Sequence, residues 1–182
     1  MPARSFAEKK EISITIDTGG VAGVVTDAAR LKQVVYNYLS NAIKFTVEGG
    51  AIQVRARQEG ANAFRIEVQD TGPGIQDSDI HRLFGDFQQL DSVRPGLGTG
   101  LGLALTKRII EGQGGSVGVR SQPGVGSVFF ALLPLEPGAK RNEDVPQETL
   151  AFSGLADPQV KVAVFPAPMR ARPRSLQGVL RP

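Results

Sequence analysis

Three short stretches of the chain hold residue types suited to a phosphorylated, metal-bound ligand. The first is Asn37, Asn41 and Lys44. Their i, i+4, i+7 spacing, at about 100° per helical residue, gathers them within a sector of roughly 60°. Amide oxygens are hard ligands of the kind Mg2+ takes, and Mg2+ prefers to share its shell with phosphate oxygens. A lysine ammonium supplies a point charge to a phosphate. The same stripe is also compatible with a plain solvated helix face.

The second stretch is Asp70-Thr71-Gly72-Pro73-Gly74. The glycines let a flat ligand approach the backbone. A carboxylate behind them accepts hydrogen bonds from an amine such as the exocyclic amine of adenine, whereas guanine presents an acceptor there. An ordinary Asp-Gly turn is the alternative. The third is Gly96-Leu97-Gly98-Thr99-Gly100-Leu101-Gly102. Free N–H groups at a helix start, with the positive end of the dipole, bind anions. No Gly-Lys-Ser/Thr ends this run and no G-x-G-x-x-G follows a strand, so neither a Walker A loop nor a dinucleotide fingerprint is present. A flexible hinge is the alternative.

These residues need elements to hold them. Ile12, Ile14 and Ile16 alternate with polar residues and predict a strand over 12–16, followed by a Gly-rich loop over 17–26. Leu31, Val34, Val35, Tyr38, Leu39 and Ala42 fall at helical spacing and predict a helix from about 27 to 45. Two alternating runs, Ile52-Val54-Ala56 and Phe64-Ile66-Val68, flank a turn and predict a hairpin. A short helix is expected over 77–84, capped by Asp77 or Ser78. A loop follows over 85–99, then a helix over 100–112 ended by glycines. Strands at 116–121 and 127–133 complete the domain. This grouping predicts an α/β two-layer sandwich with a mixed, mostly antiparallel sheet and helices on one face, not a doubly wound fold. Residues 1–135 form that domain. Residues 136–182 hold seven of the chain's 12 prolines and read as a linker or disordered tail.

Composition narrows the function classes. Hydrophobic residues make up 41% and charged residues 21%, as in chains that bury a core. A net charge of +3 gives no reason to expect nucleic acid as a partner. With no cysteine and one histidine, a disulfide framework, a zinc–thiolate site and a multi-histidine metal site are all excluded. No apolar run is long enough for a membrane span, so this segment is expected to make no membrane contact. A cytoplasmic location is expected, any membrane anchor belonging to the full-length protein.

The order of these stretches resembles the boxes of bacterial sensor histidine kinases. Leu31 to Thr46, containing Asn37, Asn41 and Lys44, resembles the N box. Asp70 to Ile75 resembles the G1 box, Leu83-Phe84-Gly85-Asp86-Phe87-Gln88 the F box, and Gly98 to Leu103 the G2 box. The resemblance covers about residues 8–135. It implies the Bergerat ATP-binding fold, with ATP and Mg2+ as cofactors. It also implies roles. Asp70 would bind the adenine amine, with Gly72, Gly74 and Ile75 shaping the base pocket. Asn41, assisted by Asn37, would hold Mg2+, and Lys44 would touch phosphate. Gly98, Thr99, Gly100, Leu101 and Gly102 would cradle the phosphates. Residues 85–99 would be the ATP lid, anchored by Phe84 and Phe87. The implied partners are a histidine-containing dimerisation and phosphoacceptor domain, absent here, and a downstream response-regulator receiver domain.

ATP-hydrolysing relatives carry a glutamate base where this chain has Asn37, which favours transfer to a protein histidine over hydrolysis. The alternative within the same fold is a non-catalytic ATP-sensing module. The F box departs from the family pattern at Gly85-Asp86, where Glu-Pro is usual. His81 lies outside any phosphoacceptor motif and reads as a surface residue. Gly114-Gly115-Ser116-Val117-Gly118 matches a nucleophile elbow, but it runs helix to strand, the wrong way round.

Overall fold

The computed structural model describes residues 7–20, 26–86, 88, 100–135 and the backbone of 161–165. Phe87, Gly98 and Thr99 lie outside the described residues, with most of the 85–99 loop. The strands are β1 (Ser13–Gly20), β2 (Ala51–Glu59), β3 (Ala63–Asp70), β4 (Ser116–Gln122), β5 (Gly126–Pro134) and β6 (Lys161–Phe165). The helices are α1 (Ala28–Phe45), α2 (Asp77–Ile80) and α3 (Gly102–Gly112). The strands form one sheet in the order β1-β2-β3-β5-β4-β6. β1 runs parallel to β2, and every other described pair is antiparallel.

The strand alternation sorts side chains to two faces. Ile52, Val54, Phe64, Ile66, Val68, Val117, Val119, Phe129, Ala131 and Leu133 share one core with Val34 and Tyr38 of α1 and Ile110 of α3. Burial of each large apolar side chain contributes about 1.5–3 kcal/mol. Tyr38 is fully buried, and its hydroxyl donates to the Phe130 carbonyl at 3.1 Å, so α1 is fixed in rotation over β5.

Both ends of α1 are closed by side chains. Asp27 caps the start, accepting from the Ala29 and Arg30 N–H groups at 3.0 and 3.1 Å. At the other end, Lys10 Nζ donates to the carbonyls of Ile43, Lys44 and Thr46 at 3.0, 2.9 and 3.0 Å. An ammonium there meets the negative end of the helix dipole. α3 closes with the paired bonds of a Schellman motif, Gly115 N–H to Ile110 O and Gly114 N–H to Glu111 O, both 3.0 Å.

The second sheet face holds charge. Glu67 is buried and accepts from Arg65 at 3.2 Å and Arg120 at 2.7 Å. Both guanidiniums lie over the Phe130 ring, at 4.4 and 5.7 Å from its centroid. Burying a carboxylate is costly unless it is paired and hydrogen-bonded, as this one is by two arginines.

Three expectations change. β1 continues to Gly20, through a stretch expected to be loop, because parallel pairing with β2 resumes after a register shift between Asp17 and Gly20. The side chain of Asp17 is held there by Arg57. The helix expected over 77–84 is the single turn α2, and its cap is Gln76, without a side-chain bond, in place of Asp77 or Ser78. Within the stretch expected to be linker or disordered tail, β6 adds to the open edge of β4, in register from Val117↔Phe165 to Ser121↔Lys161. An open strand edge is a row of unpaired N–H and C=O groups, which an extended segment satisfies.

Candidate nucleotide-binding site

Asp70 ends β3 on the core-facing side, opposite Ile52 and Ser127. Only 6% of its surface is exposed. Backbone N–H groups of Gly72, at 2.8 Å, and Ser127 donate to its carboxylate. Burial nevertheless dominates and pushes the carboxyl up to about 6. Near neutral pH this is a buried anionic acceptor suited to an N–H donor on a ligand.

The loop after Asp70 is tied at four places. Thr71 and Ala51 exchange bonds, Thr71 N–H to Ala51 O at 3.1 Å and Ala51 N–H to Thr71 Oγ1 at 3.0 Å. Gly72 N–H binds Asp70. Gly124 N–H binds Pro73 O at 2.8 Å. Ile75 N–H donates to Ser121 Oγ at 2.9 Å. Two glycines are sterically required. A Cβ on Gly74, at φ +70°, would lie 2.1 Å from Gln122 O, and one on Gly126, at φ +141°, would lie 2.1 Å from Asp70 O. Ile75 is 9% exposed and belongs to the hydrophobic core, so it anchors the loop from within.

Ser121 and Ser127 were not anticipated from sequence. Ser121 is 2% exposed; its hydroxyl lies 3.0 Å from Gly126 O and 2.9 Å from Ser127 Oγ. The one available signal was a serine at an inward position of each strand flanking the Pro123-Gly124 turn, where apolar residues are the rule.

The N-box stripe lies on α1 as its spacing requires. Asn37, Asn41 and Lys44 are all partly buried. Asn37 Nδ2 reaches across to α3, donating to Gly102 O and Thr106 Oγ1, both at 3.1 Å. Its Oδ1 accepts from Gln33 at 3.0 Å. The start of α3 is thereby held against the α1 stripe. Lys44 Nζ sits 4.6 Å from the centroid of the Phe45 ring, and desolvation lowers its pKa. No side chain caps α3, whose N-cap position is the exposed Leu101, following Gly100. Its first N–H groups are the kind that receive phosphate oxygens.

Phe84 is buried, edge-on to Phe129 with centroids 6.4 Å apart. This places it as an anchor in the core and not as a surface offered to a ligand. Asp86, at the departure from the usual F box, accepts from Arg108 of α3 at 2.6 Å. His81 is exposed, just after α2. Ser116 opens β4 paired to Leu132, inside a sheet and not on a strand-to-helix elbow.

Residues 26–137 match the family model of histidine kinase-, DNA gyrase B- and HSP90-like ATPases. The sensor histidine kinase GacS of Pseudomonas protegens is 45% identical over 129 residues, 68% of this chain and 14% of that protein. The virulence sensor protein BvgS of Bordetella bronchiseptica is 38% identical over 167 residues, 88% of this chain and 14% of that protein. This chain therefore spans about one seventh of the length of these relatives. Among solved structures, the mycobacterial sensor histidine kinase MprB superposes with a TM-score of 0.65 at 29% identity, covering 74% of this chain and 91% of that one. Full-length ShkA, solved in complex with AMPPNP, superposes with a TM-score of 0.65 at 33% identity, covering 76% of this chain and 30% of that one. The chain belongs to the family of histidine kinase-, DNA gyrase B- and HSP90-like ATPases, as a histidine-kinase ATP-binding catalytic domain of Bergerat fold.

Proposed function

We propose that this domain binds ATP with Mg2+ and donates the γ-phosphoryl group to a histidine on a dimerisation and phosphoacceptor domain outside this chain. A receiver domain would take the phosphoryl group next. The observation that carries the reading is the junction of α1 and α3 through Asn37 and Gly102. It sets an uncapped helix N-terminus beside a partly buried ammonium and carboxamide stripe. Asp70 supplies the buried acceptor for adenine.

Among the described residues, no group of three His, Cys, Asp or Glu side chains gathers to cage a metal. That suits Mg2+, which keeps waters and phosphate oxygens and takes few protein ligands. Asn41 is the ligand proposed, and the ion would neutralise phosphate charge. Lys44 would hold a phosphate oxygen, and the first N–H groups of α3 the others. In the transfer, the bond from the γ-phosphorus to the ADP oxygen breaks and one to the imidazole nitrogen forms. Such reactions depend on positioning and charge neutralisation more than on covalent help from the protein. Position 37 bears an amide, which cannot act as a base on water, and this favours transfer over hydrolysis.

The test supplies the purified domain and γ-labelled ATP to a phosphoacceptor hairpin from a relative such as GacS. Acid-labile, base-stable label on the hairpin supports transfer. Nucleotide binding without any labelling would replace this reading with a nucleotide-sensing module.

A further inference from the structure

The carboxamide of Asn37 can lie only one way round. Its inner end faces the Gly102 carbonyl, which accepts and cannot donate, so the NH2 group must point to α3. Both amide protons are then used, one on Gly102 O and one on Thr106 Oγ1. The oxygen points away, toward Gln33 Nε2. Thr106 is fully buried in the middle of α3, an unusual place for a hydroxyl, and it receives this bond from another helix 69 residues away in sequence. A Cβ added to Gly102 would sit 3.9 Å from Asn37 Cγ, so the two helices meet there in ordinary van der Waals contact.

We infer that Asn37 and Thr106 are a pair of positioning residues, a strut that sets the start of α3 against Asn41 and Lys44. This rests on the nucleotide-binding reading above. The strut acts on the phosphate cradle itself, so its loss weakens nucleotide binding whether or not Mg2+ is present. Loss of a true ligand such as Asn41 removes only the increment that Mg2+ adds.

The experiment is a titration of the whole chain with a fluorescent ADP analogue, with Mg2+ and with EDTA. The variants are Asn37→Ala, Thr106→Val, Thr106→Ser, the Asn37→Ala/Thr106→Val double variant, and Asn41→Ala for comparison. Asn37→Ala and Thr106→Val are expected to weaken binding roughly three- to tenfold in both conditions, the size of one or two hydrogen bonds. The double variant should be no worse than either single one, the mark of residues acting as a unit. Thr106→Ser keeps the hydroxyl and should bind normally, whereas a packing role would make it the weaker variant and Thr106→Val, of matching shape, the normal one. A loss in Asn37→Ala seen only with Mg2+, or additive losses in the double variant, would overturn the strut. Absence of nucleotide binding by the unaltered chain would overturn the nucleotide reading as well.

Discussion

Ser121 Oγ accepts the backbone N–H of Ile75 at 2.9 Å, joining the loop after Asp70 to the inner face of β4. The same hydroxyl is within reach of Gly126 O and Ser127 Oγ. Removing it leaves a buried N–H without a partner, a loss of about 1–3 kcal/mol. Ser121→Ala is therefore expected to lower the unfolding midpoint and to weaken nucleotide binding, since the loop beside Asp70 loosens. Thermal denaturation with and without ADP checks both effects. An unchanged midpoint and unchanged affinity would mean the loop is held by its other ties.

Lys10 closes α1 through three carbonyls, 33 to 36 residues away in sequence. Lys10→Met keeps the length of the side chain and removes the donor. It is expected to cost about 1–2 kcal/mol of stability, from the lost bonds and the lost charge at the helix end. Urea denaturation reads this as a lower midpoint at unchanged slope. Because Lys44 lies in that last turn, a fall in nucleotide affinity should accompany it.

Gly74→Ala forces a Cβ into the Gln122 carbonyl at a backbone angle that L residues rarely adopt. A loss of about 2 kcal/mol or more is expected, with the loop displaced from Asp70. Gly124→Ala also sits at positive φ, but meets nothing within 4 Å, so it should cost less. Comparing their midpoints separates steric contact from backbone strain; equal losses would show that strain alone matters.

Asp70 is expected to give stability and nucleotide binding opposite pH trends. Its carboxyl is raised in the fold to about 6 by burial, against an unfolded value near 4. The folded state therefore favours the proton. The stabilisation is present in full below about pH 4 and is lost as pH rises to about 6, a change of about 2–3 kcal/mol. An amine ligand needs the ionised form, so nucleotide affinity should rise over the same interval. The difference between the unaltered chain and Asp70→Asn isolates both trends. Parallel slopes in the two proteins would remove Asp70 from either effect.

Much of the placement of the candidate site was legible because helical and strand periods report faces. Asn37, Asn41 and Lys44 could be placed on one stripe before any coordinates, and Asp70 at the end of an alternating run was bound to face the core. What was not legible depends on pairing between distant segments. Lys10 gave no local sign of capping a helix that ends more than thirty residues later. The reach of β1 to Gly20 depends on its partner strand, and the single turn of α2 on chain that leaves the helix after Ile80. The direction of the Asn37 amide is fixed by a carbonyl of α3, which no spacing rule contains. β6 lies beyond the family match, where five residues of β-prone sequence meet an open strand edge.

The most direct test of the central claim is competition at the nucleotide site. A fluorescent ATP analogue bound in the presence of Mg2+ is displaced by ATP or by GTP, and Asp70→Ala is compared with the unaltered chain. The account predicts displacement by ATP and not by GTP at matched concentrations, and a loss of about 1–3 kcal/mol of ATP affinity in Asp70→Ala. Equal displacement by the two nucleotides, or undiminished ATP affinity in Asp70→Ala, would contradict it.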